Sequence, residues 1–282
     1  MNFDHLPAQP RLSAEVDAYS DECFRRSIEA IAVTRNERDI AYGSRDRQTL
    51  DLFLPADRNA RDLPVLFFLH GGGWSIGYKE WCGFMAPAIV SLPAIFVSVG
   101  YRLIPSVAFP EPVKDAFAAL RWVHDSIGRY GGSSKRIFVG GHSAGAQLAA
   151  LLTMKDDWRR EAGLPENPVR GAFCLSGTYN RRQISPAIAP DHVQKDPETA
   201  IAAESPLALV QHARTPMHVA WGGDEPERVP RTGVQLVDAL KQAGCPVTSD
   251  VYPGHGHFSV HLKTGDVNDP WTQTVRQVMS AS

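Results

Sequence analysis

Short apolar runs bounded by Gly, Pro or polar residues recur along the chain, with amphipathic stretches between them. "PVLFFLH", "AIFVSVGY", "RIFVGG", "GAFCLSG" and "PMHVAWG" have the length and composition of strands buried on both faces, and "VTSDVY" reads as a further strand. Between them, "PEPVKDAFAALRWVHDSIGRY", "AGAQLAALLTM", "PRTGVQLVDALKQAG" and the terminal "DPWTQTVRQVMSA" read as helices. In the first, Val113, Phe117, Leu120, Val123 and Ile127 recur at helical spacing, Pro112 sits in the first turn and Gly131-Gly132 ends the pattern. Strands alternating with helices predict a mostly parallel central sheet flanked by helices, an α/β fold.

Upstream of that alternation the pattern changes. A helical leader covers residues 13 to 32, within an N-terminal segment 1–35. "DIAYG" and "QTLDLFLP" then flank the turn-like "SRDR" as two antiparallel strands do. Residues 177–212 are richer in Pro, Ala and charge and carry no clear period, so they read as a lid-like excursion over the end of the sheet. With 282 residues and 43% hydrophobic residues, the chain suits one α/β domain spanning 1–282.

Charge and cysteine content narrow the partners. A formal net charge of −2, with both signs interspersed, provides no basic stripe for nucleic acid or an anionic membrane. The N-terminus lacks a positively charged start followed by an apolar stretch, and no segment is long enough to span a bilayer, so a cytoplasmic protein is expected. Cys23, Cys82, Cys174 and Cys245 are scattered, which fits neither a metal pair nor a disulfide framework. No metal and no organic cofactor are expected.

Two G-x-S-x-G matches offer a nucleophile: Gly73 to Gly77 in "LHGGGWSIG", and Gly141 to Gly145 in "GHSAG". A nucleophile elbow needs a strand running into the turn and a helix running out. Ser143 has "RIFVGG" before it and "AGAQLAALL" after it, whereas Ser75 is flanked by Trp74 and Ile76 and starts no clean helix. Ser143 is therefore the candidate nucleophile. The glycines of the first match are free to act as an oxyanion hole, with the backbone N–H groups of Gly72, Gly73 and Ala144 as donors. Ser75 then reads as a surface or loop-packing residue.

A serine needs a histidine base oriented by a carboxylate. In the order Ser, acid, His, "VAWGGDEPE" supplies Asp224 or Glu225, with Asp224 favoured because it follows the Gly-Gly turn directly. "VYPGHGHFSVH" supplies His257, with His255 and His261 as rivals. His142 is expected to pack or hydrogen-bond locally. Trp74 is placed to line an aromatic pocket, and Trp81, Tyr179 and Phe258 are candidates to join it.

These residues carry a resemblance. "HGGGW", "GHSAG", Asp224 and His257 resemble an α/β-hydrolase of the esterase and lipase kind. More narrowly, "AYGSRDRQTLDLFLP", "FFLHGGGW", "GHSAGAQLAALL" leading to "DDW", "LSGTYN", "ESPL", "GGDEPERVPRTG" and "GHFSV" resemble the kynurenine formamidase (arylformamidase) family over most of the chain. That resemblance implies an α/β-hydrolase fold and the triad Ser143, Asp224 and His257. It also implies hydrolysis of an aryl formamide, N-formylkynurenine, to kynurenine and formate in tryptophan catabolism, with a homodimer as a familiar assembly. Two positions depart from it: Gly73 stands where that branch carries an aromatic residue, and Ala146-Gln147 where it favours Gly-His. The three glycines are similar to those of hormone-sensitive-lipase esterases, which makes a broad carboxylesterase for short acyl or aryl esters the competing expectation. A non-catalytic ligand-binding protein on the same scaffold is the third.

Overall fold

The computed structural model describes residues 3–10, 12–166, 168–181 and 204–281. Eight strands form one sheet in the order β1-β2-β4-β3-β5-β6-β7-β8. They are β1 (Arg35–Ala41), β2 (Thr49–Leu54), β3 (Leu63–Leu69), β4 (Ile95–Val99), β5 (Gly132–His142), β6 (Gly171–Leu175), β7 (Met217–Gly222) and β8 (Val247–Tyr252). The β1/β2 and β2/β4 pairs are antiparallel and the other neighbours are parallel. The opening hairpin and the parallel remainder thus match the sequence pattern.

Helices cover both faces: α1 (Ala14–Val33), α2 (Ala86–Val90), α3 (Glu111–Ser126), α4 (Ala144–Leu152), α5 (Asp156–Glu161), α6 (Pro206–Leu209), α7 (Arg228–Gln242), α8 (His257–Lys263) and α9 (Pro270–Ser280). Alternation along each strand divides the core in two. Val65, Phe67 and Leu69 of β3 face a cluster with Val113 and Phe117 of α3, Leu148 of α4 and Leu236 of α7. Leu66 and Phe68 face the opposite cluster with Tyr19 and Cys23 of α1, Ile89 of α2 and Trp271 of α9. β3 lies near the middle of the sheet and is buried along its whole length, which explains its unbroken apolar sequence.

The leader therefore belongs to the core. Ser13 caps α1 by accepting a hydrogen bond from the Val16 N–H, and the helix buries Tyr19, Cys23, Ser27, Ala30 and Ile31. Of the lid-like excursion, residues 182–203 lie outside the described residues. At its two described ends, Arg181 and Glu204 form a buried ion pair at 3.1 Å, and the Leu207 N–H donates to the Tyr179 carbonyl.

All four cysteines are buried and free. No helix among the described residues is long and apolar enough to cross a membrane.

Candidate active site

β5 delivers Ser143 to the mouth of the sheet and α4 starts at the next residue. Ser143 has φ 56° and ψ −118°, a sparsely populated region for a residue with a side chain, as expected of a sharp strand-to-helix turn. The Ser143 N–H donates to the Leu175 carbonyl of β6 at 2.9 Å, which pins the turn from the side. Gly145 is required by close packing: a Cβ there would lie 2.0 Å from the Leu69 carbonyl oxygen. The helix can leave the sheet at this angle only with glycine at that position.

His257 opens α8, in the loop beyond β8. Its Nε2 is 2.8 Å from Ser143 Oγ, and its Nδ1 is 2.7 Å from Glu225 Oε2. The carboxylate accepts a hydrogen bond from Nδ1–H, which leaves the Nε2 lone pair directed at the serine hydroxyl. The carboxylate at this point is not the expected Asp224. Asp224 is exposed and its N–H donates to the His255 carbonyl at 3.0 Å, whereas the Glu225 side chain is completely buried. The turn after Gly222-Gly223 spends one more residue than the motif reading allowed, and the longer glutamate arm spans the remaining gap. The rivals to His257 occupy other places: His255 supplies the carbonyl that fixes the loop, and His261 is buried and bonded through Nδ1 to the Tyr19 hydroxyl at 2.8 Å.

The second serine motif has a different structure. The N–H groups of Ser75 and Ile76 both donate to the Gly72 carbonyl, so the stretch is a tight loop and not a strand-to-helix elbow. This loop abuts Ser143, since a Cβ on Gly71 would sit 3.1 Å from Ser143 Cβ. Gly72 and Gly73 line the same cavity as Ser143. Ser75, expected at the surface or in loop packing, also borders that cavity.

The cavity of about 180 Å³ is bounded by Leu12, Val16 and Tyr19 from the N-terminal segment, Ile76 and Trp81 from the loop after β3, and Ser143, Arg228, His257 and Phe258. Larger hollows of about 500 and 430 Å³ lie beside Trp122 and Trp158 and beside Tyr78 and Lys79, away from Ser143, so chemistry and not volume identifies the site. Trp81 and Phe258 line this cavity. Trp74 and Tyr179 do not, with 2% and 1% of their surface exposed in the core cluster on the other side of the loop. The backbone explains Trp74: with φ 60° it turns the ring away from the cavity and against Phe109, the ring centroids being 6.2 Å apart.

Sequence reasoning missed the contribution of the leader. Tyr19 packs on Phe258 at 4.7 Å and edge-on to Trp81 at 5.4 Å between ring centroids, and so closes the aromatic wall. The signal was present: Leu12, Val16 and Tyr19 are spaced i, i+4, i+7, one apolar face at a helix start. Arg228 was missed as well, because a single arginine at the head of a helix carries no motif.

A stack of buried imidazoles supports His257 from behind. His142 Nε2 donates to the His257 carbonyl at 2.8 Å, and the His142 ring lies parallel to His261 at 4.6 Å. Burial, with the neighbouring histidines, holds His142 well below the ordinary imidazole range and takes His261 down to about 3. Burial also takes His70, stacked on Tyr101 at 4.2 Å, down to about 3. Beside the cavity, the turn Lys79–Trp81 is anchored by buried charge. Lys79 Nζ lies 2.8 Å from Asp39 Oδ1, 2.8 Å from Asp51 Oδ1 and 2.5 Å from Glu80 Oε1. Among the described residues no group of His, Cys, Asp and Glu could hold a metal ion.

The sheet order, the elbow at Ser143 and the aligned His257 and carboxylate define an α/β-hydrolase of the serine-hydrolase type. Residues 66–261 match the family described as alpha/beta hydrolase fold, and the chain belongs to that family. It is 26% identical over 279 residues to the kynurenine formamidase of Danio rerio, covering 97% of this chain and 92% of that protein. It is 33% identical over 147 residues to the isoprenylcysteine alpha-carbonyl methylesterase of Arabidopsis thaliana, a match over 51% of this chain and 34% of that longer protein. Among solved structures, the hyperthermophilic esterase of Pyrobaculum calidifontis superposes with a TM-score of 0.74 at 22% identity, over 99% of this chain and 94% of that one, a likeness of fold.

Proposed function

We propose that this chain is a serine hydrolase that cleaves an aryl formamide, N-formylkynurenine, to kynurenine and formate. The observation that carries the reading is the line from Glu225 through His257 to Ser143, ending in a cavity walled by Tyr19, Trp81 and Phe258 and floored by the glycine loop. Full-length similarity to a kynurenine formamidase supports the choice of acyl group.

In this mechanism His257 Nε2 takes the Ser143 hydroxyl proton as Oγ attacks the formyl carbon, and Glu225 stabilises the imidazolium that forms. The oxyanion develops against the N–H groups of Gly72, Gly73 and Ala144, where loss of one donor typically costs roughly 3 kcal/mol of barrier. His257 then protonates the departing aryl amine. Water, deprotonated by His257, attacks the formyl-enzyme and releases formate. The chain needs only the substrate and water for these steps.

A second reading, a carboxylesterase for short acyl or aryl esters, is favoured by the unobstructed three-glycine loop and by the methylesterase similarity. The kcat/KM on N-formylkynurenine compared with that on p-nitrophenyl acetate decides between them. The formamidase reading expects the formamide to be at least as good a substrate, and a preference of several orders of magnitude for the ester overturns it. Both readings expect stoichiometric labelling by a fluorophosphonate that is lost in Ser143→Ala.

A further inference from the structure

Arg228 is out of place in the cavity as described so far. The described lining residues are mainly aliphatic and aromatic and include no carboxylate, and the acid that pairs with His257, Glu225, is buried. Arg228 nevertheless borders this space, as the first residue of α7, three positions after Glu225 in the same loop. Among the described residues it has no carboxylate partner, although its neighbours on that segment are engaged: Glu227 pairs with Arg231 at 3.5 Å. A guanidinium bordering an aromatic-walled cavity gains most from a planar anion that it can bind through two N–H groups at once.

We propose that Arg228 is the specificity-determining residue of this site and seats a carboxylate carried by the aryl substrate. The inference rests on the serine-hydrolase reading and adds a charge rule to it. The cavity selects substrates that carry a carboxylate, and its described lining residues include no acid to match an ammonium group, so a substrate's amino group contributes little to recognition.

The test compares N-formylkynurenine with its carboxamide, which removes the charge, and with its des-amino analogue, which removes the ammonium. In the wild-type protein the carboxamide is expected to lose about 10- to 100-fold in kcat/KM, the scale of a charged hydrogen bond, and the des-amino analogue less than about 3-fold. In Arg228→Gln the acid-to-carboxamide ratio collapses towards one, and Arg228→Lys restores part of it. A ratio unchanged by Arg228→Gln, or a large loss for the des-amino compound, overturns the proposal. Binding without turnover provides the second arm: 3-phenylpropionate is expected to raise the Tm of the wild-type protein and of Ser143→Ala, and 3-phenylpropanamide to do so far less. Equal shifts from the acid and the amide overturn the charge rule. Failure of wild-type protein to react with a fluorophosphonate overturns the hydrolase reading instead, so the two failures are distinguishable.

Discussion

Glu225 Oε2 lies 2.7 Å from His257 Nδ1, while Asp224, its immediate neighbour, faces solvent. Two consecutive acids thus have opposite environments, and only the buried one can hold the imidazole in the tautomer that leaves Nε2 free for Ser143. Glu225→Gln preserves shape and removes the charge. It is expected to lower kcat by roughly 10³- to 10⁴-fold, the scale seen when a triad carboxylate becomes an amide. Asp224→Asn is expected to change kcat/KM by less than about 2-fold, as exposed substitutions do. Parallel steady-state kinetics on the two variants check this, and the opposite ranking would return the role to Asp224.

The fold was readable because the central strands stand out as short apolar runs and the long helices by their period. The strand-to-helix turn at Ser143 was readable because a glycine elbow between a strand and a small-residue helix has a mechanical reason for its composition. Glu225 was not, because its selection over Asp224 depends on how the Gly222-Gly223 turn aims the next two side chains. Trp74 was misplaced for the same reason: adjacency to the glycine loop says nothing of a φ of 60° that sends the ring into the core. Tyr19 reaches the cavity from a helix more than a hundred residues upstream of Ser143, a tertiary fact that no local pattern around the motifs encodes. α8 was hidden because "HFSVHLK" is only seven residues long, too short for a period to emerge.

The elbow gives a stability prediction that is also a test of the nucleophile. A methyl group on Gly145 would meet the Leu69 and His70 carbonyl oxygens at 2.0 and 2.6 Å, and neither backbone atom can retreat without moving β3. Gly145→Ala is expected to cost about 1–3 kcal/mol in urea unfolding, the usual penalty for overpacking, and to abolish fluorophosphonate labelling as Ser143 is displaced. Ser75→Ala leaves labelling intact. Labelling that survived Gly145→Ala at the wild-type rate would mean the turn tolerates a geometry quite different from this one.

Lys79 supports the aromatic wall through buried charge. Burial works against its ammonium, but the Asp51 and Glu80 carboxylates more than offset this and hold it charged above the ordinary lysine range. The Ser98 hydroxyl donates to the Lys79 carbonyl at 2.6 Å, tying the turn that carries Trp81 to β4. Lys79→Met removes the cation and leaves Asp51 and Glu80, 2% and 4% exposed, without it. The expected loss is about 3–5 kcal/mol of unfolding free energy, with a raised KM from the loosened Trp81. Adding Asp51→Asn should recover part of the loss, because one of the stranded charges is then gone. Urea titrations of the single and double variants read both effects.

The imidazole stack makes stability depend on pH in a defined direction. His261 titrates near 3 in the folded protein and near 6.5 once unfolded, so between those values the unfolded chain binds a proton that the folded chain refuses. This contribution is fully present above about pH 6.5 and is lost as pH falls, at about 1.4 kcal/mol per pH unit for each such histidine. His70, also near 3, acts in the same sense. Glu204 opposes them: burial, only partly offset by Arg181, raises it to about 7, so the folded chain binds the extra proton there and gains stability as pH falls from about 7 towards the ordinary carboxylate range. Because the two effects overlap, the variant comparison is the informative one. His261→Phe keeps a ring between Phe68 and His142 and removes the titrating group. Between pH 7.5 and 5.0 its unfolding free energy should fall by about 2 kcal/mol less than that of the wild-type protein. Equal pH dependence in the two proteins, measured by urea unfolding at both values, would show that His261 is not held neutral by the fold.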